Sequence, residues 1–286
     1  MTAFFTSLYD FLIGPFAGPY TFMRTALYAI MLLTPLLGLL GTMAVNQRMA
    51  FFSDALGHSA LTGIGLGILL GISSDLIAMI LFGVLWALLI SRINQTGKMS
   101  ADTIISVFSS TSIALGLVIL ARGGGFAKYS ALLIGDILAV SQADLLLLAT
   151  ALIGGVVLWA VIYNRLLLTS INGSLARSRG VKTKLTEYIF VTLVALAVML
   201  SIRLVGVLLI NALLILPAAA GRTLARSVKG HAGYTVLIAT FSGVIGLLLA
   251  YHLNTSAGAA IVLCAAAWYF ATLLIGYAAS KMKNVK

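Results

Sequence analysis

Phe52-Ser53-Asp54-Ala55-Leu56-Gly57-His58-Ser59-Ala60-Leu61-Thr62-Gly63 sets a carboxylate and an imidazole four residues apart inside an apolar run. If the run is helical, positions i and i+4 share a face, and Asp54 and His58 aim at one point. Both are metal ligands, and ionisable groups within a membrane segment mark ion pathways by default. Two plainer readings stand beside this one: Asp54 as an N-cap of the helix that follows, and His58 as a hydrogen-bonded packing residue. The spacing of the two favours a ligand pair.

A helical wheel at about 100° per residue groups Asp54, His58 and Gly65 and places Gly63, Gly67 and Gly71 on the opposite side. Those three glycines form a GxxxGxxxG ladder that lets a second helix approach closely. The helix is expected over about 49–72. Asp54 would then lie about 8 Å and His58 about 14 Å from its start, the depth of a midplane site.

Around this stretch the chain is 61% hydrophobic and 9% charged over 286 residues. A soluble domain carries about 25% charged residues. The composition therefore predicts an all-α polytopic membrane protein, one helical domain in a lipid bilayer. The net charge of +11 comes from Lys and Arg in the short connections, which report topology and headgroup contact, so a nucleic-acid partner is rejected. Cys264 is the single cysteine, which excludes an intrachain disulfide and a cysteine metal cluster. No basic n-region precedes Arg24, so insertion through the chain's own spans is expected rather than a cleaved signal.

Residues 1–25, interrupted by Gly14, Pro15, Gly18 and Pro19, are read as an N-terminal interfacial segment. A transmembrane domain over 26–280 and a tail over 281–286 follow. Besides the Asp54/His58 helix, spans are expected at about 26–45, 75–92, 101–121, 144–163, 185–203, 205–224, 233–252 and 257–279. The total is nine, or eight if 26–45 or the tight junction Arg203-Leu204-Val205-Gly206 behaves differently. Asp75 and Asp102 are read as caps and His252 as an interfacial residue. Arg122-Gly123-Gly124-Gly125 opens a loop to about 143 holding Lys128, Tyr129, Gly135 and Asp136. The longest basic connection, Asn164 to Lys184, contains Thr169-Ser170-Ile171-Asn172, which can cap a short helix through Arg179 with Gly180 as its stop. Asn211 and Pro217 interrupt the 205–224 span, and Pro217 frees a carbonyl there.

With nine spans, fourteen Lys and Arg fall on the side of the tail, against Arg24, Arg122, Lys128 and Arg203 on the other. The positive-inside rule then puts the C-terminus in the cytoplasm.

Three stretches occur in an order and spacing that is informative. They are Arg48 through Leu61, Leu133-Ile134-Gly135-Asp136-Ile137-Leu138-Ala139-Val140, and Leu204-Val205-Gly206 through Pro217-Ala218-Ala219-Ala220. From about residue 20 to 278 the chain resembles the permease subunit of the zinc and manganese importers of the ATP-binding cassette class. The resemblance implies a smaller relative of the vitamin B12 importer permease, working as a homodimer in the bacterial plasma (inner) membrane. It also implies a separate ATPase subunit and an extracytoplasmic metal-binding protein. Asp54 and His58 match the family's intramembrane metal pair. Ser170, Asn172, Ala176, Arg177 and Gly180 lie in the segment matching the helix that couples to the ATPase. Gly221-Arg222 stands where the family often has Thr-Ala-Arg. No bound cofactor is expected; the transported ion would be Zn2+, with Mn2+ (or iron) the alternative. The Gly135-Asp136 form is nearer the zinc members, and zinc binds a given site more tightly than manganese. Asn211 and Pro217 are further pathway candidates.

No GxxxxGK[ST] occurs, Gly97-Lys98-Met99 having neither the spacing nor the Ser/Thr, so this chain does not cradle ATP. Two other classes remain. An intramembrane metalloenzyme needs a third ligand and a base, and no HExxH is present. A stand-alone ion carrier needs further intramembrane carboxylates, whereas Asp54 is the one clearly within a span and Glu187 lies near a span end.

Overall fold

The computed structural model describes residues 14–17, 20–122, 129 and 135–283. Residues 1–13 of the N-terminal segment, the Gly123–Gly125 run, Lys128 and the last three residues of the tail lie outside it. The described residues form eleven α-helices, one 3-10 turn and no strand. The helices are α1 (Gly14–Ala17), α2 (Thr21–Asn46), α3 (Phe52–Leu69), α4 (Asp75–Asn94), α5 (Ala101–Arg122) and α6 (Gln142–Ile171). They continue as α7 (Gly173–Ser178), α8 (Thr183–Val205), α9 (Val207–Leu224), α10 (Val228–Leu253) and α11 (Ala257–Lys283), with the 3-10 turn at Ile137–Ala139.

Eight helices among the described residues are long and apolar enough to cross a membrane: α2, α4, α5, α6, α8, α9, α10 and α11. The Asp54/His58 helix is not one of them. Asp54, His58 and its serines and glycines dilute its hydropathy, and it packs inside the bundle between α4, α5, α8 and α9. Its surroundings therefore stabilise it, as is usual for a short helix.

Several boundaries differ from expectation. The first span begins at Thr21 rather than 26, taking in Arg24. α6 extends to Ile171, so the connection expected from Asn164 is helical for its first residues. A capping box at its start, with Ser141 and Asp144 bonding each other's backbone N–H, opens it, and it runs on past Asn164 through Arg165-Leu166-Leu167-Leu168, all good helix formers. The tail residues to Lys283 continue α11. Asn211 and Pro217 do not interrupt α9, which is continuous from Val207 to Leu224. The break instead falls at Gly206, whose φ of 82° is open to glycine at little cost. Gly135 (φ 68°) lies directly on that junction, and a methyl there would overlap the Val205 carbonyl.

The glycine ladder holds in part. Gly63 and Gly67 face α4, where added methyls would meet the Ala78 backbone and side chain. Gly71 does not pack against a helix: α3 ends at Leu69, and Gly71 sits in the following turn at φ 71° with open space around it. Gly71 is needed for its backbone angle instead.

Candidate metal site in the bundle interior

α3 starts later than the sequence indicates, at Phe52, so Asp54 lies in its first turn. In the connection before it the chain turns at Arg48 (φ 59°), with Met49 buried and Arg48 and Phe51 exposed. At the basic end of the bundle, Arg222 Nη1 donates to the Val45 carbonyl at 3.4 Å. Asn211, which touches Asp54, lies roughly 16 Å along α9 from that point at about 1.5 Å per residue. The pair thus lies at the start of α3 rather than along its length.

His58 Nε2 lies 3.5 Å from Asp54 Oδ1, so the i, i+4 pair does share a face. The two side chains are 26% and 45% exposed in the single chain, open enough for an ion to reach. Asn211 Nδ2 donates to the same Asp54 Oδ1 at 3.0 Å. The first turn of a helix is also a favourable place for a carboxylate, since free N–H groups and the dipole point at it. Among the described residues no three His, Cys, Asp or Glu side chains converge, so one protomer offers one carboxylate and one imidazole.

Close packing sets this geometry. Gly57, between the two ligands in sequence, sits against the Val207 side chain; a methyl there would collide with its stiff branched carbons. Val207 and Asn211 lie one turn apart on α9, so seating Val207 against Gly57 brings Asn211 to Asp54. On the far half of the same face, Gly65 meets Ile119, and Thr62 donates to the Ser112 carbonyl, so α5 covers that part. The Asp54 end stays open. The sequence singled out Asn211 without its partner, and the signal that could have found it was Gly57 opposite the Gly206 break.

Pro217 is buried in α9, away from these contacts. His231 bonds the Ala218 carbonyl at 2.8 Å, a packing role. His252 ends α10 exposed, in edge contact with Tyr251 at 5.2 Å between centroids. The caps before α4 and α5 are Ser74 and Ser100, which accept from the Ile77 and Thr103 N–H groups, while Asp75 accepts from Tyr129 and Asp102 is exposed. A cleft of about 860 Å³ at the end away from Arg222 is lined by Ile64, Asp75, Tyr129, Asp136, Asp144 and Arg203 among others.

At the basic end, Asn172 Oδ1 accepts from the Ser174 and Leu175 N–H groups at 3.0 and 3.1 Å and opens α7. Gly180, at φ 78°, closes it. Ala176 is fully buried, Arg177 is exposed and Ser170 bonds back within α6. The helix read from the sequence is therefore present as a rigid knob between α6 and α8.

The model of the ABC 3 transport family matches residues 19–276. A high-affinity zinc uptake system membrane protein of Haemophilus influenzae is 33% identical over 79% of this chain and 87% of its own length. A manganese import system permease protein of Streptococcus parasanguinis is 29% identical over 93% and 94%. Among solved structures, PsaBC from Streptococcus pneumoniae in complex with Fab superposes with a TM-score of 0.77 at 28% identity, covering 95% of both chains.

Proposed function

The chain belongs to the ABC 3 transport family, and from that premise we propose that it is the membrane-spanning permease subunit of an ABC importer that carries a divalent transition metal ion into the cytoplasm. Zinc is favoured over manganese. The observation that carries this reading is the Asp54/His58 pair at the start of α3, open and held by Asn211 of α9. A carboxylate and an imidazole are moderately hard ligands suited to either ion. Two protomers related by a two-fold axis would supply two of each, enough for a tetrahedral site at their interface. The relatives named for zinc and for manganese are similarly distant, so the preference for zinc rests on the ligand order and on Gly135-Asp136.

ATP hydrolysis belongs to a separate ATPase subunit. The α7 knob, with Ser170, Asn172, Ala176, Arg177 and Gly180, is its docking element, and an extracytoplasmic metal-binding protein delivers the ion. The positive-inside count puts α7 and the C-terminus in the cytoplasm of a bacterium whose inner membrane the chain spans many times. Gly63 and Gly67 fix α3 to α4 behind the site, and Asn211 and Pro217 belong to the α9 wall of the route.

The test is uptake of zinc and manganese, measured by elemental analysis, in vesicles holding the chain with its ATPase and binding-protein partners. Asp54→Ala and His58→Ala should each abolish uptake while membrane insertion is retained. Normal uptake in both would remove the site assignment.

A further inference from the structure

We infer that Asn211 is a positioning residue for the metal pair: its amide pins one oxygen of Asp54, leaving the other as the atom that takes the ion. This deepens the proposed function and rests on it. Asp54 Oδ1 is approached both by Asn211 Nδ2 at 3.0 Å and by His58 Nε2 at 3.5 Å. Oδ1 is therefore occupied from two helices, and among the described residues no other hydrogen bond is made to the carboxylate. Oδ2 is left for a ligand.

Among the described residues the amide is oriented by this contact alone. Its Oδ1 is buried without a partner, so the hydrogen bond to Asp54 is what holds the side chain in place. The reverse orientation would set two acceptors against each other. A side chain that only filled space between α3 and α9 would carry no such unpaired oxygen, because a leucine of similar size would fill the space without one. Groups that orient a ligand from outside the coordination sphere typically change metal affinity by about 10- to 100-fold.

A neutral donor also suits an ion that must leave again. It steadies the carboxylate without adding a second negative charge to bind the cation more tightly, and without a positive charge to repel it. An aspartate at 211 would do the first and a lysine the second.

The measurement is the concentration dependence of zinc and manganese uptake by the full transporter in vesicles. Asn211→Leu should raise the apparent KM about 10- to 100-fold with maximal uptake and ATPase activity near wild type. Asn211→Gln, which retains a donor, should recover part of the loss. In an Asp54→Ala background, Asn211→Leu should cause no further loss of equilibrium metal binding, measured by calorimetry on the detergent-solubilised protein. A wild-type KM for Asn211→Leu alongside an inactive Asp54→Ala would overturn the positioning role and leave the metal pair intact. Wild-type uptake by Asp54→Ala and His58→Ala would instead overturn the reading on which it rests. Should Asn211→Leu fail to insert, the Gln variant decides: unless its KM is raised, Asn211 has no hold on the carboxylate.

Discussion

Two carboxylates among the described residues, Glu187 and Asp54, are treated in opposite ways. Glu187, one turn into α8, accepts from Ser91 Oγ at 2.9 Å and from Gln95 Nε2 at 3.3 Å, both at the far end of α4. Gln95 Nε2 also donates to Ser91 Oγ, which closes the network. Asp54 has one amide, one imidazole from its own helix, and an open side. Glu187 ties two helices together and has both oxygens engaged. Asp54 is left with an oxygen to spare. The contrast sets the proposed metal site apart by its unfilled coordination rather than by burial or charge.

The largest effect separates the two directly. Asp54→Asn, which keeps size but removes the charge, should lower metal uptake by more than about 100-fold. Glu187→Gln should leave the apparent KM for metal within about twofold, because the amide still accepts from Ser91. Equal losses of uptake in both would erase the distinction.

Next in size is stability. Glu187→Ala leaves the Ser91 hydroxyl without its acceptor and takes one of two from Gln95 Nε2, a cost of about 1–3 kcal/mol. A lower Tm in detergent with an unaltered metal KM is the expected pair of results. Gly57→Ala should act on the other carboxylate through packing. Its methyl displaces Val207, draws Asn211 from Asp54, and should raise the KM about tenfold. The double variant Gly57→Ala/Val207→Ala restores the space and should restore the KM; if it does not, α9 is not registered on α3 through that contact.

The smallest effects sort the glycines. Gly67→Ala pushes on Ala78 and should cost about 1–3 kcal/mol as an overpacking change. Gly71→Ala meets nothing and should cost only the left-handed backbone penalty of about 1 kcal/mol. Chemical or thermal unfolding of the two in detergent ranks them.

Much of this was legible beforehand. Long apolar runs can span a bilayer only as helices, so the class and most of the segments followed from hydropathy. The i, i+4 spacing placed Asp54 beside His58, and Asn172 with Gly180 marked the short helix between α6 and α8, because those signals are local. Gly71 misled because a periodic pattern does not say where a helix stops. The late start of α3 was hidden because Met49 through Phe51 is apolar enough to continue a helix, whereas the chain turns at Arg48, at φ 59°. Glu187 was placed near a span end without its partners, since Ser91 and Gln95 lie on another helix.

The sequence by itself determined the membrane class, the positions of most helices and the Asp54/His58 pair, since each depends on residues within a turn or two of one another. Tertiary structure alone decided that α3 begins at Phe52, that α9 restarts at Gly206, and that Asn211 meets Asp54. Those outcomes depend on which backbones can approach: Gly57 admits Val207 and Gly135 fits the α8–α9 junction, and steric fit between segments distant along the chain leaves no periodic trace in it.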